Sequence, residues 1–189
     1  MKTKIFMYLF ISFTSILNLI ASEFHVKKSD KNSVKFISDA PIEDFEGVTN
    51  NIDGYLYFEN ELAINSQLHF EVDLRTLDTG IGLRNRHMRE NYLETDDYPM
   101  AAYSGKIVKS EKISENKFKV NLNGEMNIHG VNKKQNIEGI VEFIGEEIKV
   151  TTNFNVKLSD HKIEVPSLMF VKIDENMDLH VNFFLVKAK

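Results

Sequence analysis

Most of this chain alternates apolar and polar residues one by one, the period of strands that bury one face. Leu68, Phe70, Val72 and Leu74 share a side against Gln67, His69, Glu71 and Asp73. Phe118, Val120, Leu122, Gly124, Met126 and Ile128 oppose Lys119, Asn121, Asn123, Glu125 and Asn127 in the same way. A third clean run sets Ile148, Val150, Thr152, Phe154, Val156 and Leu158 against Lys149, Thr151, Asn153, Asn155 and Lys157. Residues 52–59 alternate as well, and 24–28, 33–37 and the noisier 101–113 are further candidate strands. The pattern predicts a polar turn over 130–135 and a returning hairpin partner over 136–144. Residues 42–47 are read as a loop or one helical turn, and 159–176 as irregular. The last strand, 179–186, is apolar on both faces at Phe183, Phe184, Leu185 and Val186, which predicts cover on both sides.

About eight strands with one apolar face each fit either a sandwich or a closed barrel. Several run to ten or eleven residues, ~33 Å at ~3.3 Å per residue. That length favours an all-β closed barrel of about eight strands over a sandwich, and closure also leaves no open sheet edge.

Alternation stops abruptly over residues 77–99, LDTGIGLRNRHMRENYLETDDYP. Arg84, Arg86, His87 and Arg89 crowd together there, followed by Glu94, Asp96 and Asp97. Met88, Tyr92 and Leu93 sit at helical spacing, so a short helical insert packed by one apolar edge is expected, and it is the natural cover for the last strand.

The N-terminus changes the accounting. Lys2 and Lys4 precede an apolar run that ends in Ala21-Ser22, the layout of a secretory signal peptide over residues 1–21. The run is shorter than the ~20 residues of a membrane span, so no stable membrane insertion is expected after cleavage. The domain is then residues 22–189, and loss of the two lysines takes the formal charge from −5 to −7. An acidic chain with one small basic cluster argues against nucleic acid as a partner. With no Cys in the chain, an exported domain of this size relies on packing rather than disulfides. A periplasmic or secreted location is expected.

A small eight-stranded barrel either fills its interior or leaves room for one ligand. The inward candidates are Phe70, Val72, Val120, Leu122, Met126, Val150, Phe154, Val156, Val181 and Phe183. Gly54, Gly124 and Thr152 lie on the same faces and leave volume unfilled. Arg84, Arg86, His87 and Arg89 admit two roles. They hold a ligand head group at the barrel mouth, or they clasp the helix to the barrel by pairing with Glu90, Glu94, Asp96 or Asp97; the second is favoured, because arginines with carboxylates nearby are usually already matched. The six His residues show no metal-ligand spacing, so no metal is expected. Neither a nucleophile elbow nor a Gly-rich phosphate loop is present, and no enzyme is expected. Tyr55, Tyr57 and Phe184 are the aromatics available for a homodimer face.

Four blocks carry a family resemblance: SVKF near residue 33 with Gly47 beyond it, residues 77–99, GEMNIHGVNK at 124–133, and LSDHKIEVP at 158–166. The most specific is the second, with TG, RNRHM, YL and YP in fixed order. The chain resembles the YceI-like family of exported lipid- and polyisoprenoid-binding proteins from about Val26 to Val186. It departs from the commonest family pattern at 40–47. The resemblance implies an all-β, extended eight-stranded antiparallel β-barrel, lipocalin-like, with a short helical insert packed against it. It also implies a non-enzymatic role: binding, transport or storage of a long apolar lipid, a polyisoprenoid or isoprenoid quinone, in the lumen. The alternative is an envelope structural or interaction protein with a packed barrel and no ligand.

Overall fold

The computed structural model describes residues 21–38, 44–59, 62–165, 167–168 and 171–188; residues 1–20 of the signal peptide expected over 1–21, and residues 42–43 of the stretch read as a loop or helical turn over 42–47, lie outside them. Strands β1 (Ala21–Val26), β2 (Ser33–Ser38), β3 (Phe45–Thr49), β4 (Ile52–Glu59) and β5 (Gln67–Asp73) lead into helix α1 (Gly82–His87) and a π-type turn (Met88–Tyr92). Then follow β6 (Met100–Ser114), β7 (Lys117–Ile128), β8 (Val131–Ile144), β9 (Glu147–Lys157), the two-residue pair β10 (Ser167–Leu168) and β11 (Val171–Lys172), and β12 (Asn176–Lys187).

The sheet closes on itself. Its antiparallel order runs β1-β4-β5-β6-β7-β8-β9-β12, and β12 pairs with both β1 and β2 on its far side. β1 and β2 are two halves of one barrel strand, and β3 and β4 two halves of the next, so ten paired segments make an eight-stranded barrel. The buried Asn32 patches the first interruption: its amide donates to the Lys27 carbonyl at 2.8 Å and its oxygen accepts the Phe184 N–H at 3.2 Å. At the second interruption the Thr49 hydroxyl accepts the Asn51 N–H at 3.0 Å.

Alternation predicted the wall faces correctly. Ile52, Leu56 and Phe58 on β4, Val120 and Met126 on β7, and Ile148 and Val156 on β9 are buried, while their neighbours face solvent. Three expectations need correction. Residues 45–49 form a strand rather than a loop or helical turn. Gly47 leaves room for the Phe36 ring across the β2–β3 pair, since a Cβ there would lie 2.6 Å from its Cζ. The polar turn at 130–135 shrinks to His129-Gly130, both at positive φ (53° and 69°), and β8 starts at once with Val131 opposite Ile128. Polarity misled there because Asn132, Lys133 and Lys134 are exposed strand residues. Finally, α1 does not blanket β12. That strand buries Met177, Val181, Phe183 and Leu185 inward, while Phe184 and Val186 are only half-buried on the outside. Of the aromatics named for self-association, Tyr55 is exposed and Tyr57 is half-buried like Phe184.

The barrel interior divides into a packed half and an open half. In the packed half, Phe24 stacks on Phe58 (5.4 Å between centroids), and Phe143 meets both Phe58 and Phe118 edge to face. Ile107, Ile148 and Leu185 are at most 1% exposed there.

Candidate functional site: a blind apolar lumen

The open half holds a cavity of about 550 Å³, within the ~300–1,000 Å³ usual for small-molecule sites. Nine of the ten lumen candidates line it: Phe70, Val72, Leu122, Met126, Val150, Phe154, Val156, Val181 and Phe183. Val120 does not; at 2% exposure it is packed in the closed half with Gly139 opposite it on β8. Period-two patterning tells inside from outside but carries no depth along the axis, so it grouped Val120 with residues a layer above it.

The lining also draws on residues not singled out from the sequence. Val34 and Phe36 come from β2, Phe45 from β3, Leu68 from β5, Tyr103 from β6, Ile137 from β8, and Met177 and Leu179 from β12. Leu68 and Leu179 share the inward face of strands already read, so alternation alone was enough to find them. Phe45 and Tyr103 sit in stretches whose alternation is irregular.

Few polar groups reach this space. The buried Tyr103 hydroxyl donates to the Gln135 carbonyl at 3.0 Å, and the Thr152 hydroxyl to the Glu138 carbonyl at 2.6 Å. Burial pushes the Tyr103 phenol up to about 12, because a phenolate there would lose its contact with water. The folded state therefore holds this proton where the unfolded chain, near ~10, has released it. That stabilisation is complete below about pH 10 and falls by ~1.4 kcal/mol per pH unit as pH rises towards about 12. Urea unfolding at about pH 9 and about pH 11 is expected to show the loss in the native protein and a smaller loss in Tyr103→Phe. Equal losses in the two would show that Tyr103 is not the group responsible.

The mouth is covered by the 77–99 segment. Ile81, Leu83, Met88, Tyr92 and Leu93 line the cavity from this side, so the predicted apolar edge faces the lumen, while Ile81 and Leu83 remain 53% and 56% exposed. Side-chain hydrogen bonds fix the start of α1. Asn85 accepts the Thr79 N–H (2.8 Å) and hydroxyl (2.7 Å) and donates to Asp78 at 2.7 Å. The Asn85 amide, with the Gly80 N–H, holds the Asp78 carboxyl below its usual range.

The basic cluster is not matched by the acids that follow it. Arg84 donates from Nε to the Thr79 hydroxyl (2.9 Å) and from Nη2 to the Thr79 carbonyl (2.7 Å), and its guanidinium lies 4.7 Å from the Phe45 ring centre. Arg89 donates to the Leu77 carbonyl at 3.0 Å, and its buried Nε has no partner. None of Arg84, Arg86 and Arg89 forms an ion pair with Glu90, Glu94, Asp96 or Asp97 among the described residues. Glu94 pairs instead with His129 Nε2 at 2.7 Å, in the β7–β8 turn. Carbonyl acceptors and a turn distant in sequence took the places assigned to local charge. Arg84 and His87 line the cavity; Arg86 and Arg89 do not.

The Glu94–His129 pair, with Tyr98 packed on the His129 ring (4.5 Å between centroids), ties the end of the covering segment to the barrel wall. His129 thus stands beside a carboxylate but outside the cavity lining, whereas His87 faces the cavity and has no carboxylate partner among the described residues. Among the described residues no group of three or more His, Asp or Glu is placed to hold a metal ion, and no helix is long and apolar enough to cross a membrane.

Comparison with known proteins agrees with this geometry. The model of the YceI-like domain matches residues 24–185. BcnA of Burkholderia cenocepacia superposes with a TM-score of 0.70 at 15% identity, covering 84% of this chain and 98% of its own. A polyisoprenoid binding domain from Saccharophagus degradans, described as implicated in plant cell wall breakdown, superposes at 0.67 with 16% identity, covering 90% of this chain and 99% of its own. The YceI protein of Campylobacter jejuni gives 0.58 at 18% identity, over 76% and 84% of the two chains. None of the curated proteins matches the chain in sequence. These structural likenesses establish the barrel, and with the domain match spanning nearly all of it, the chain belongs to the YceI-like family.

Proposed function

We propose that this barrel takes up a long apolar lipid of the polyisoprenoid or isoprenoid-quinone type, tail first, and carries or stores it unchanged. One observation carries the reading: the lumen is apolar, closed at one end and unfilled by side chains. At ~30 Å³ per carbon-sized group, the liquid share of a water molecule, about 550 Å³ admits on the order of twenty such groups. At ~0.8 kcal/mol per buried methylene, even part of that chain offers ample gross burial, which ordering and association costs then reduce. The description of the Saccharophagus domain as polyisoprenoid binding points the same way.

Polarity sets the orientation. The tail lies towards the packed half and the head group at the mouth, where Arg84 and His87 face the cavity. Arg86 and Arg89 then belong to the covering segment rather than to the ligand. The leader read at 1–21 supports an exported, periplasmic or secreted, site of action. A packed barrel acting only through its outer surface is disfavoured by the same unfilled volume.

Native mass spectrometry of the mildly purified protein is the test. A mass above that of the polypeptide, released by organic extraction as an apolar long-chain lipid, is expected. Recovery of the bare polypeptide alone, together with failure to take up added prenols, would overturn the reading.

A further inference from the structure

On three strands the cavity ends between two consecutive inward positions, while on β5 it reaches past Phe70 to Leu68. Leu122 faces the cavity and Val120 does not; Val150 faces it and Ile148 does not; Phe183 faces it and Leu185 does not. The three residues below are 2%, 1% and 0% exposed. At the boundary, the rings of Phe70 from β5 and Phe183 from β12 meet edge to face, 4.7 Å between centroids. These strands are not neighbours, since β1 and β4 stand between them. Gly54 of β4 lies opposite Phe70 in register and puts no side chain into the gap the rings span.

We propose that the Phe70–Phe183 ring pair is a stop that sets the length of apolar chain this barrel accepts. The inference rests on the lipid-binding reading above and adds to it a selectivity and the residues that produce it. A chain entering from the mouth gains burial with every carbon until it meets the two rings. Beyond them, among the described residues, only Leu68 still borders the cavity; the layer of Val120, Ile148 and Leu185 is filled at the density of a protein core, and further carbons stay at the mouth or in water. Affinity therefore climbs with chain length and then levels off. The stop is held from below on the β12 side, where Leu185 under Phe183 is 0% exposed.

The experiment is a competition. Protein stripped of lipid is offered an equimolar mixture of farnesol, geranylgeraniol and solanesol, and bound species are read by native mass spectrometry. The native protein is expected to favour geranylgeraniol over farnesol by at least about tenfold, and to show no further gain for solanesol, whose extra carbons find no apolar wall. Phe183→Leu and Phe70→Leu deepen the pocket and shift the preference towards solanesol by several-fold. Val150→Phe adds a ring to the wall directly opposite Phe183 in register, narrows the lumen at the stop and shifts the preference back towards farnesol. The two directions guard against a variant that merely folds poorly. Occupancy that keeps rising through solanesol in the native protein would leave lipid binding intact and remove the stop. So would preferences that no variant changes. Failure of the native protein to bind any of the three prenols would overturn the stop and the lipid-binding reading together.

Discussion

Replacing Gly54 with alanine is expected to cost the barrel at least ~3–5 kcal/mol, a large part of the ~5–15 kcal/mol that holds a typical domain folded. Gly54 sits in β4 at φ +129°, a conformation that side-chain-bearing residues rarely adopt. An added Cβ would overlap the His69 carbonyl oxygen and lie 2.7 Å from the Phe70 Cα, so the obstacle is backbone on a paired strand. Relief requires β4 and β5 to separate where they share the ladder. Urea denaturation is the measurement, with Gly82→Ala as the control. Gly82 opens α1 and nothing lies within 4 Å of its added Cβ. That substitution is expected to be neutral or to stabilise by up to ~1 kcal/mol through helix propensity. Equal midpoints for the two variants would contradict this account of the β4–β5 pair.

The second large effect concerns the lumen. Phe154→Asp places a carboxylate on the cavity wall, in a space whose lining is almost wholly apolar. A bound hydrocarbon cannot solvate that charge, so the site either draws in water or keeps the acid protonated. Bound lipid per protein is expected to fall by at least about tenfold, with the circular dichroism of a β-barrel retained. Asn153→Asp, one position along on the outer face of β9, alters the same strand by the same charge and is expected to leave bound lipid unchanged. Retention of lipid by Phe154→Asp would mean that the cavity is not where the lipid resides.

The sequence was most informative where a single physical rule acts alone. A strand with one face in an apolar interior and the other in water must alternate, and β4, β5, β7 and β9 have no competing demand. Their faces were readable for that reason, and closure followed from their length. Reading failed where a second constraint intervened. β3 is short and interrupted by Asn50 and Asn51, so its alternation never spans enough residues to stand out from a loop. Val120 was placed in the lumen because alternation is blind to axial depth. The arginines were assigned to nearby acids because proximity in sequence is the only proximity a sequence displays. In the fold, the Thr79 and Leu77 carbonyls lie closer, and Glu94 turns to His129. The helix edge of Met88, Tyr92 and Leu93 was right in spacing, while what it faces was settled by the barrel.

The placement of β12 has a consequence for how the chain acquires its structure. This final strand is the only one bonded to both β9 and the β1–β2 pair among the described residues, so the first and last strands of the domain meet along it. Until β12 is available, the remaining strands can form only an open sheet with two unsatisfied edges and an uncovered apolar face. Such long-range closure places folding in the slow regime of β-rich domains, ~milliseconds to seconds. A polypeptide emerging N-terminus first thus stays unable to complete its barrel until β12 arrives. That delay makes the unclosed intermediate the species most exposed to edge-to-edge aggregation.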